Sequence, residues 1–345
     1  MTLVLVAMAV IWGGGALTGA PHSARWLGIG LVYFAVLILH GVLPDGHALR
    51  AATGGRAAPW GVLGGIAALI WGYRKGLVAL RGKARPATGE PARKGEAELQ
   101  RNARHIVLRE IGGPGQKRLK GARVLVVGAG GLGSPALQYL AGAGVGVIGV
   151  IDHDVVDNSN LSRQVIHRDE DIGVPKVFSA ERAMRAQNPF VEVRPYNRRL
   201  TAEIAEELFA EFDVILDGTD NFETRYLVNA AAVKAGKPLI SGALSQWEGQ
   251  VSVFDPGAGA PCYQCVFPKA PAPGLAPSCA EAGVLAPLPG VIGTMMAVEA
   301  VKVIAEAGEP LRGRLLIYDA LYAETRVIRL DRRADCPICG DVAAH

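Results

Sequence analysis

The sequence predicts an α/β protein with a Rossmann-like, mostly parallel sheet, preceded by two or three transmembrane helices and closed by a C-terminal part that paired cysteines clip on. Three observations carry this. The first 80 residues hold long uncharged apolar runs. From residue 98, strand-like stretches alternate with helix-like ones, the pattern of a parallel sheet covered by helices. Two C-x-x-C pairs, Cys262/Cys265 and Cys336/Cys339, stand far apart in the chain.

The uncharged runs are residues 2–20, TLVLVAMAVIWGGGALTGA, and 26–43, WLGIGLVYFAVLILHGVL. A third, 59–80, opens as PWGVLGGIAALIWGY and continues past Arg74 and Lys75. A bilayer core about 30 Å thick takes roughly 20 apolar residues as a helix, so the first two are long enough to cross. The third reads either as a span whose Arg74 and Lys75 reach for the headgroups or as a buried helix. Trp12, Trp26 and Tyr33 are expected interface anchors. A signal peptide is disfavoured for the first run, which lacks a basic start and is followed at once by the second.

Charge orients these runs. Residues 74–94 carry seven Lys and Arg against Glu90, while the loop 44–58 carries Arg50 and Arg56 against Asp45. The positive-inside rule then places the long C-terminal part in the cytoplasm and makes the chain a multi-pass protein of the inner (cytoplasmic) membrane. Residues 1–120 hold 16 Lys and Arg against 5 Asp and Glu, and the remainder 20 against 27. The basic excess therefore lies next to the apolar runs, where anionic lipid accounts for it, and no nucleic-acid partner is expected. Residues 81–97, RGKARPATGEPARKGEA, read as a flexible linker.

The domain 98–345 begins with helical spacing at Leu99, Ile106 and Leu108. RVLVV and VGVIGVID read as strands around the helix SPALQYLAGAG. Helices are expected near 176–187, over AEIAEELFAEF and over ETRYLVNAAAVKAG, and strands at VEVRPYN, DVILD, PLISGAL and GQVSVFDP. The apolar helix 290–306 carries Met295 and Met296, expected in core or dimer packing. Right-handed crossovers put every strand-to-helix turn on one edge of such a sheet, where ligands bind.

That edge holds GAGGLG. Its Gly128, Gly130 and Gly133 have the G-x-G-x-x-G spacing that lets a phosphate-bearing ligand approach a helix N-terminus. Asp152, ending the next strand, suits a ribose hydroxyl. NAD and ATP both satisfy this much. The following stretch, DHDVVDNSNLSRQVIHRDEDIGVPK, separates them by gathering Asn158, Asn160, Arg163, Gln164 and Lys176. Hydride transfer needs no such set, whereas a triphosphate does: Arg offers a fork and Lys a point charge to its oxygens. The competing reading pairs Arg163 and Lys176 with the acids of DEDI. Asp220, in DGTDN, is placed to hold Mg²⁺ or help position the phosphates. His153 and His167 receive no role.

The ordered series GAGGLGSP, DHDVVDNSNLSRQ, GVPK, DGTDN, GALSQWEGQVSVF, CYQC, CAEAG and CPIC resembles the MoeB/ThiF/HesA family, bacterial relatives of ubiquitin-activating enzymes, and most of all its MoeB branch. The resemblance covers about Leu99 to Gly340. It implies an adenylyltransferase that uses ATP and Mg²⁺ to activate the C-terminal glycine of a ubiquitin-like sulfur-carrier protein, releasing pyrophosphate. The implied carrier is the small subunit of molybdopterin synthase, in molybdenum cofactor biosynthesis. The alternatives are the thiamine-pathway carrier and, more remotely, an NAD-dependent oxidoreductase. The resemblance places Gly131 at the phosphates and Asp152 at the ribose. It places Ser159, Asn160, Leu161, Ser162, Arg163 and Lys176 at the nucleotide, and Asp220 with Asn221 at Mg²⁺ and nucleotide. It also implies a homodimer whose Arg104 crosses into the neighbouring site. This chain reads Arg101-Asn102-Ala103-Arg104-His105 there, without the family's usual Tyr and Gln.

Cys262, Cys265, Cys336 and Cys339 supply four thiolates for a tetrahedral structural Zn²⁺, which would clip the C-terminus onto the domain. Cys279, in PSCAEAG, is left over. The resemblance gives it either a thioester role, as in sulfur-transferring members, or that of an unreactive thiol. With no sulfur-donor domain expected after Gly340, plain adenylation is favoured over built-in sulfur transfer.

Overall fold

The structure, a computed structural model, describes residues 1–84, 94–272 and 282–343. The chain falls into two units, Met1–Glu90 and Pro91–His345.

In the first unit α1 (Thr2–Leu17), α2 (His22–Val42), the short α3 (Ala48–Ala52) and α4 (Ala58–Ala84) follow one another. Trp12 of α1 meets Trp26 of α2 edge-on, ring centroids 5.1 Å apart. Val4, Val36 and Trp60 are buried together. The Trp60 indole N–H donates to the Thr53 carbonyl at 2.9 Å, and the Trp60 carbonyl accepts from the Tyr33 hydroxyl at 2.8 Å. Leu31, Phe34, Ile38, Leu69 and Trp71 remain exposed.

The boundaries differ from the sequence reading. The first run closes at Leu17, and its 16 residues reach only about 24 Å. The second starts at His22 rather than 26, where Pro21 caps it. Among the described residues of this unit, α2 alone is both long and apolar enough to cross a bilayer. Of the three expected spans, one therefore meets both criteria. The linker 81–97 is shortened from both sides, because Ala, Lys, Arg and Glu are strong helix formers: α4 runs to Ala84 and α5 (Lys94–Ile106) starts at Lys94. The linker's middle, 85–93, lies outside the described residues.

The second unit continues with α6 (Gly112–Gly121), β1 (Arg123–Val127), α7 (Gly133–Ala143), β2 (Val147–Asp152), α8 (Lys176–Gln187) and β3 (Glu192–Asn197). Then come α9 (Ala202–Ala210), β4 (Val214–Asp217), α10 (Phe222–Lys234), β5 (Leu239–Leu244), β6 (Glu248–Phe254) and α11 (Tyr263–Val266). It ends with α12 (Leu288–Ala305), β7 (Arg314–Asp319) and β8 (Glu324–Arg329). One eight-stranded sheet has the order β3-β2-β1-β4-β5-β6-β7-β8. β1 to β5 are parallel, and β6, β7 and β8 are added antiparallel.

Strand periodicity explains the two cores. Val124 and Val126 point to one face, among Leu137, Leu140 and Met184 of α7 and α8. Leu125 and Val127 point to the other, among Phe209, Phe212 and Val228. Both faces are covered, which is why the parallel strands read as continuous apolar runs. α12 lies against α7, β5 and β6, and Met296 is fully buried there, a core residue. α12 is apolar enough to cross a membrane, but half of it is buried in this domain. The winding reverses between β1 and β4, which leaves a crevice at the carboxyl ends of those strands.

Candidate functional site

A cavity of about 570 Å³ opens at that crevice. Its floor is the turn after β1. Gly128 has φ +93°, a backbone region that L side chains avoid, and its N–H donates to the Ile151 carbonyl at 2.9 Å. A side chain at Gly133 would overlap the Gly128 carbonyl, so α7 starts directly behind the turn. Gly130 and Gly131 line the cavity at the N-terminus of α7, where free amides and the helix dipole favour an anion.

Asp152 ends β2 on the cavity wall. Its Oδ2 accepts the Ala129 N–H and its Oδ1 the Asp154 N–H, both at 2.8 Å, so the carboxylate is fixed across the glycine turn. Lys176, the first residue of α8, is buried, and its Nζ lies 2.8 Å from Asp154 Oδ2. Burial raises the Asp154 pKa, but the hydrogen bond and charge of Lys176 outweigh it and hold the carboxyl below its usual range. Arg163 donates from Nη1 to the Ser159 carbonyl at 2.9 Å and lines the cavity. Two of the three DEDI acids are engaged elsewhere, Asp171 with Arg182 and Glu170 with Arg168. Pairing of Arg163 and Lys176 with those acids is thus not what the structure shows.

Asp220 is exposed and lines the cavity beside Asn221. The turn that presents them is anchored below. Asp217 accepts from the Thr219 N–H at 3.0 Å and the Thr219 hydroxyl at 2.6 Å, and faces buried Arg225 at 3.5 Å. Arg225 also donates to Ser241 Oγ at 3.1 Å and to the Thr219 carbonyl. Asn221 caps α10, its Oδ1 accepting the Thr224 N–H at 2.9 Å. Buried Tyr263 completes this wall, and burial pushes its hydroxyl up to about 12.

The structure brings Gly131, Asp152, Arg163, Lys176, Asp220 and Asn221 to one cavity. Ser159, Asn160, Leu161 and Ser162 do not line it. The first of these caps itself on Asp157, whose Oδ1 accepts both its N–H at 2.8 Å and its hydroxyl at 2.6 Å. Arg104 is exposed on α5. Cys279 lies outside the described residues. Sequence reasoning missed Arg198, Arg199 and Lys269, which add three cations to the lining. Arg198 and Arg199 follow β3, and a doubled arginine after a parallel strand was the available signal. Gln164 is buried in the lining, and its Oε1 has no hydrogen-bond partner among the described residues. Such an acceptor costs about 1–3 kcal/mol unless a ligand satisfies it.

The four paired cysteines form a separate buried cluster. Their sulfurs all lie within 4.8 Å of one another. Cys262 is 3.9 Å from Cys265 and 3.6 Å from Cys336, and Cys265 is 3.4 Å from Cys339. Tetrahedral zinc with Zn–S of about 2.3 Å sets its sulfurs roughly 3.8 Å apart, so the residues fit that ion. Burial pushes the Cys262 thiol up. At Cys336 burial also raises the pKa, but backbone N–H groups of Ile338 and Cys339 outweigh it and bring the thiol to about 7.

A protein-family model described as the ThiF family matches residues 102–338. The chain belongs to the ThiF family. A ThiF-family relative, the sulfur carrier protein adenylyltransferase of Thermus thermophilus, is 53% identical over 248 residues, 71% of this chain and 92% of that protein. The SAMP-activating enzyme E1 of Haloferax volcanii is 48% identical over 244 residues, 71% of this chain and 90% of the other. The adenylyltransferase and sulfurtransferase MOCS3 of Bos taurus is 49% identical over 245 residues, 71% of this chain, which spans about half (54%) of that protein. Among solved structures, E. coli MccB shares the fold at 24% identity, with a TM-score of 0.62 over 73% of this chain and 77% of that one. Adenylyl transfer is the activity consistent with the names of these ThiF-family relatives.

Proposed function

We propose that this protein is an ATP-dependent adenylyltransferase that activates the C-terminal glycine of a ubiquitin-like sulfur carrier, the small subunit of molybdopterin synthase. The observation that carries the reading is the cavity itself. A glycine turn at a helix N-terminus faces Arg163, Lys176 and Arg199, a cation-rich pocket suited to a polyphosphate. The relatives named as sulfur carrier adenylyltransferases support the class of substrate.

The chemistry joins two anions. A carboxylate oxygen of the carrier's terminal glycine attacks the α-phosphorus, the bond from that phosphorus to the β-bridging oxygen breaks, and pyrophosphate leaves with the electron pair. Fixed cations offset the repulsion and stabilise charge growing on the phosphoryl oxygens. Arg163 and Lys176 fill this role. Lys176 rests on Asp154 until a stronger anion arrives. Asp152 orients the ribose, and the Gly130 and Gly131 amides meet the phosphates. Asp220 is the carboxylate suited to Mg²⁺, an ion commonly held by one or two carboxylates and the substrate's own phosphates. Zn²⁺ held by the four cysteines is structural.

The reading extends to assembly and location. Arg104, exposed on α5 near exposed Val107 and Leu108, belongs in the nucleotide site of a second subunit of a homodimer. The apolar helices of the first unit anchor the enzyme in the cytoplasmic membrane with the ThiF-family unit in the cytoplasm. Cys279 is left without a role in adenylation. ATP–pyrophosphate exchange with purified carriers tests the assignment: exchange is expected with the molybdopterin synthase subunit. Exchange with the thiamine-pathway carrier alone would reassign the substrate, and none with either would reject the activity.

A further inference from the structure

His167 is 6% exposed and does not line the cavity, yet its ring touches the cavity's floor. Nε2 lies 3.0 Å from the Ala129 carbonyl, 38 residues earlier in the chain. Nδ1 lies 2.8 Å from Ser179 Oγ, which stands 2.6 Å from Asp171 Oδ2, and the other oxygen of Asp171 meets Arg182. Ser179 is 1% exposed and Asp171 5%. The ring is therefore held from behind by α8 while it reaches the turn after β1.

A carbonyl only accepts, so Nε2 carries a proton in either charge state of the ring. Ser179 Oγ donates to Asp171, and the same hydroxyl faces Nδ1. Lys176 and Asp152 are the other charges near the ring, and burial pushes its pKa below the usual imidazole range. In the neutral ring the Ala129 carbonyl sets the tautomer, with the proton on Nε2.

The N–H of the same residue, Ala129, donates to Asp152 at 2.8 Å. Residue Ala129 is thus held on both sides: Asp152 fixes the Gly128–Ala129 peptide through its N–H, and His167 fixes the Ala129–Gly130 peptide through its carbonyl. A second, weaker donor, Ser134 Oγ, lies 3.4 Å from that carbonyl. The next two residues, Gly130 and Gly131, line the cavity.

We propose that His167 is a positioning residue for adenylation: its Nε2–H fixes the Ala129–Gly130 peptide so that the Gly130 amide in that plane, and the Gly131 amide that follows it, are aimed at the nucleotide phosphates before ATP arrives. The inference rests on the reading of the cavity as an ATP site. Pre-orienting those amides removes a reorganisation cost that ATP binding would otherwise carry.

The test uses the full-length protein and three variants. His167→Asn keeps an amide near Nδ1 but cannot reach Ala129. His167→Gln places its amide nitrogen near the position of Nε2. Ser179→Ala removes the support and leaves the ring. ATP affinity and the KM values for ATP and carrier are measured, together with hydrogen exchange at the Gly130 and Gly131 amides without nucleotide. His167→Asn is expected to weaken ATP binding about five- to tenfold, the size of one neutral hydrogen bond, with carrier KM unchanged and exchange at both amides faster. His167→Gln is expected within about threefold of wild type, and Ser179→Ala between the two. Equal ATP affinity in wild type and His167→Asn overturns the proposal. So does parallel loss of ATP and carrier affinity, or no recovery in His167→Gln, since the ring is then merely structural. If the wild type binds no ATP, the reading of the site falls, and the exchange arm still judges the grip: unchanged exchange at Gly130 and Gly131 overturns it.

Discussion

Arg163 and Lys176 occupy the same cavity but stand in different electrostatic positions. Lys176 is buried and already neutralised by Asp154, 2.8 Å away. Arg163 is half-buried and spends one N–H on a backbone carbonyl, which leaves most of its fork for a ligand. The two substitutions should therefore fail differently. Arg163→Ala removes a donor to the transition state without stranding a charge, and pyrophosphate exchange is expected to fall about 10²–10³-fold with the melting temperature nearly unchanged. Lys176→Met also leaves the Asp154 carboxylate next to the phosphates, adding repulsion to the lost attraction. Its exchange rate is expected to fall further, and its KM for ATP to rise more, than for Arg163→Ala. Steady-state exchange at several ATP concentrations checks the order, and equal losses in KM would refute it.

At the element scale, the cysteine knuckle joins α11 to the segment after β8. Cys262 and Cys336 are 74 residues apart. Losing a cross-link over so long a loop costs about 4 kcal/mol in loop-closure entropy. In a domain of this size that lowers the melting temperature by roughly 8–16 °C. Cys336→Ser is expected to show this shift, with loss of bound zinc in metal analysis and faster proteolysis beyond β8. A variant that keeps both its zinc and its melting temperature would remove the clip. The C-x-x-C spacing made this element legible without coordinates, as the unbroken apolar runs RVLVV and VIGVID did for the parallel strands. The antiparallel end was not legible in the same way. Every residue of β8 is exposed, so Val327 and Ile328 alternate with no core face and leave no strand signature. The Asp217–Arg225 anchor was hidden for a related reason. Its partners are separated by the very turn they brace, and only the fold shows that both are buried. Single site residues on motif glycines and strand ends could be read directly, whereas Arg198, Arg199 and Lys269 reach the cavity only through the path of the chain after β3 and α11.

The whole molecule divides its surface chemistry along the chain. The first unit exposes Leu27, Leu31, Phe34 and Ile38 along α2 and Leu69, Ile70 and Trp71 along α4, with a small core around Trp60. Exposed apolar surface of this extent is rare on water-soluble monomers and typical of membrane or protein contacts. The second unit contains both large cores, the whole sheet and every residue that lines the cavity. Its parallel strands are covered on both faces by its own helices. A chain of residues 94–345 is therefore expected to express as a soluble protein and to keep pyrophosphate exchange within about threefold of the full-length enzyme, since the groups that stabilise the transition state are all retained. The full-length chain is expected to sediment with membranes and to resist extraction by high salt, because burial of apolar side chains in lipid, unlike attraction of its basic residues to headgroups, is not screened. Fractionation with a salt wash, paired with exchange assays on both chains, checks the two expectations separately. Release of the full-length chain by salt alone would make the first unit a surface-binding element, and an inactive, aggregated 94–345 would show that the first unit is needed for the fold.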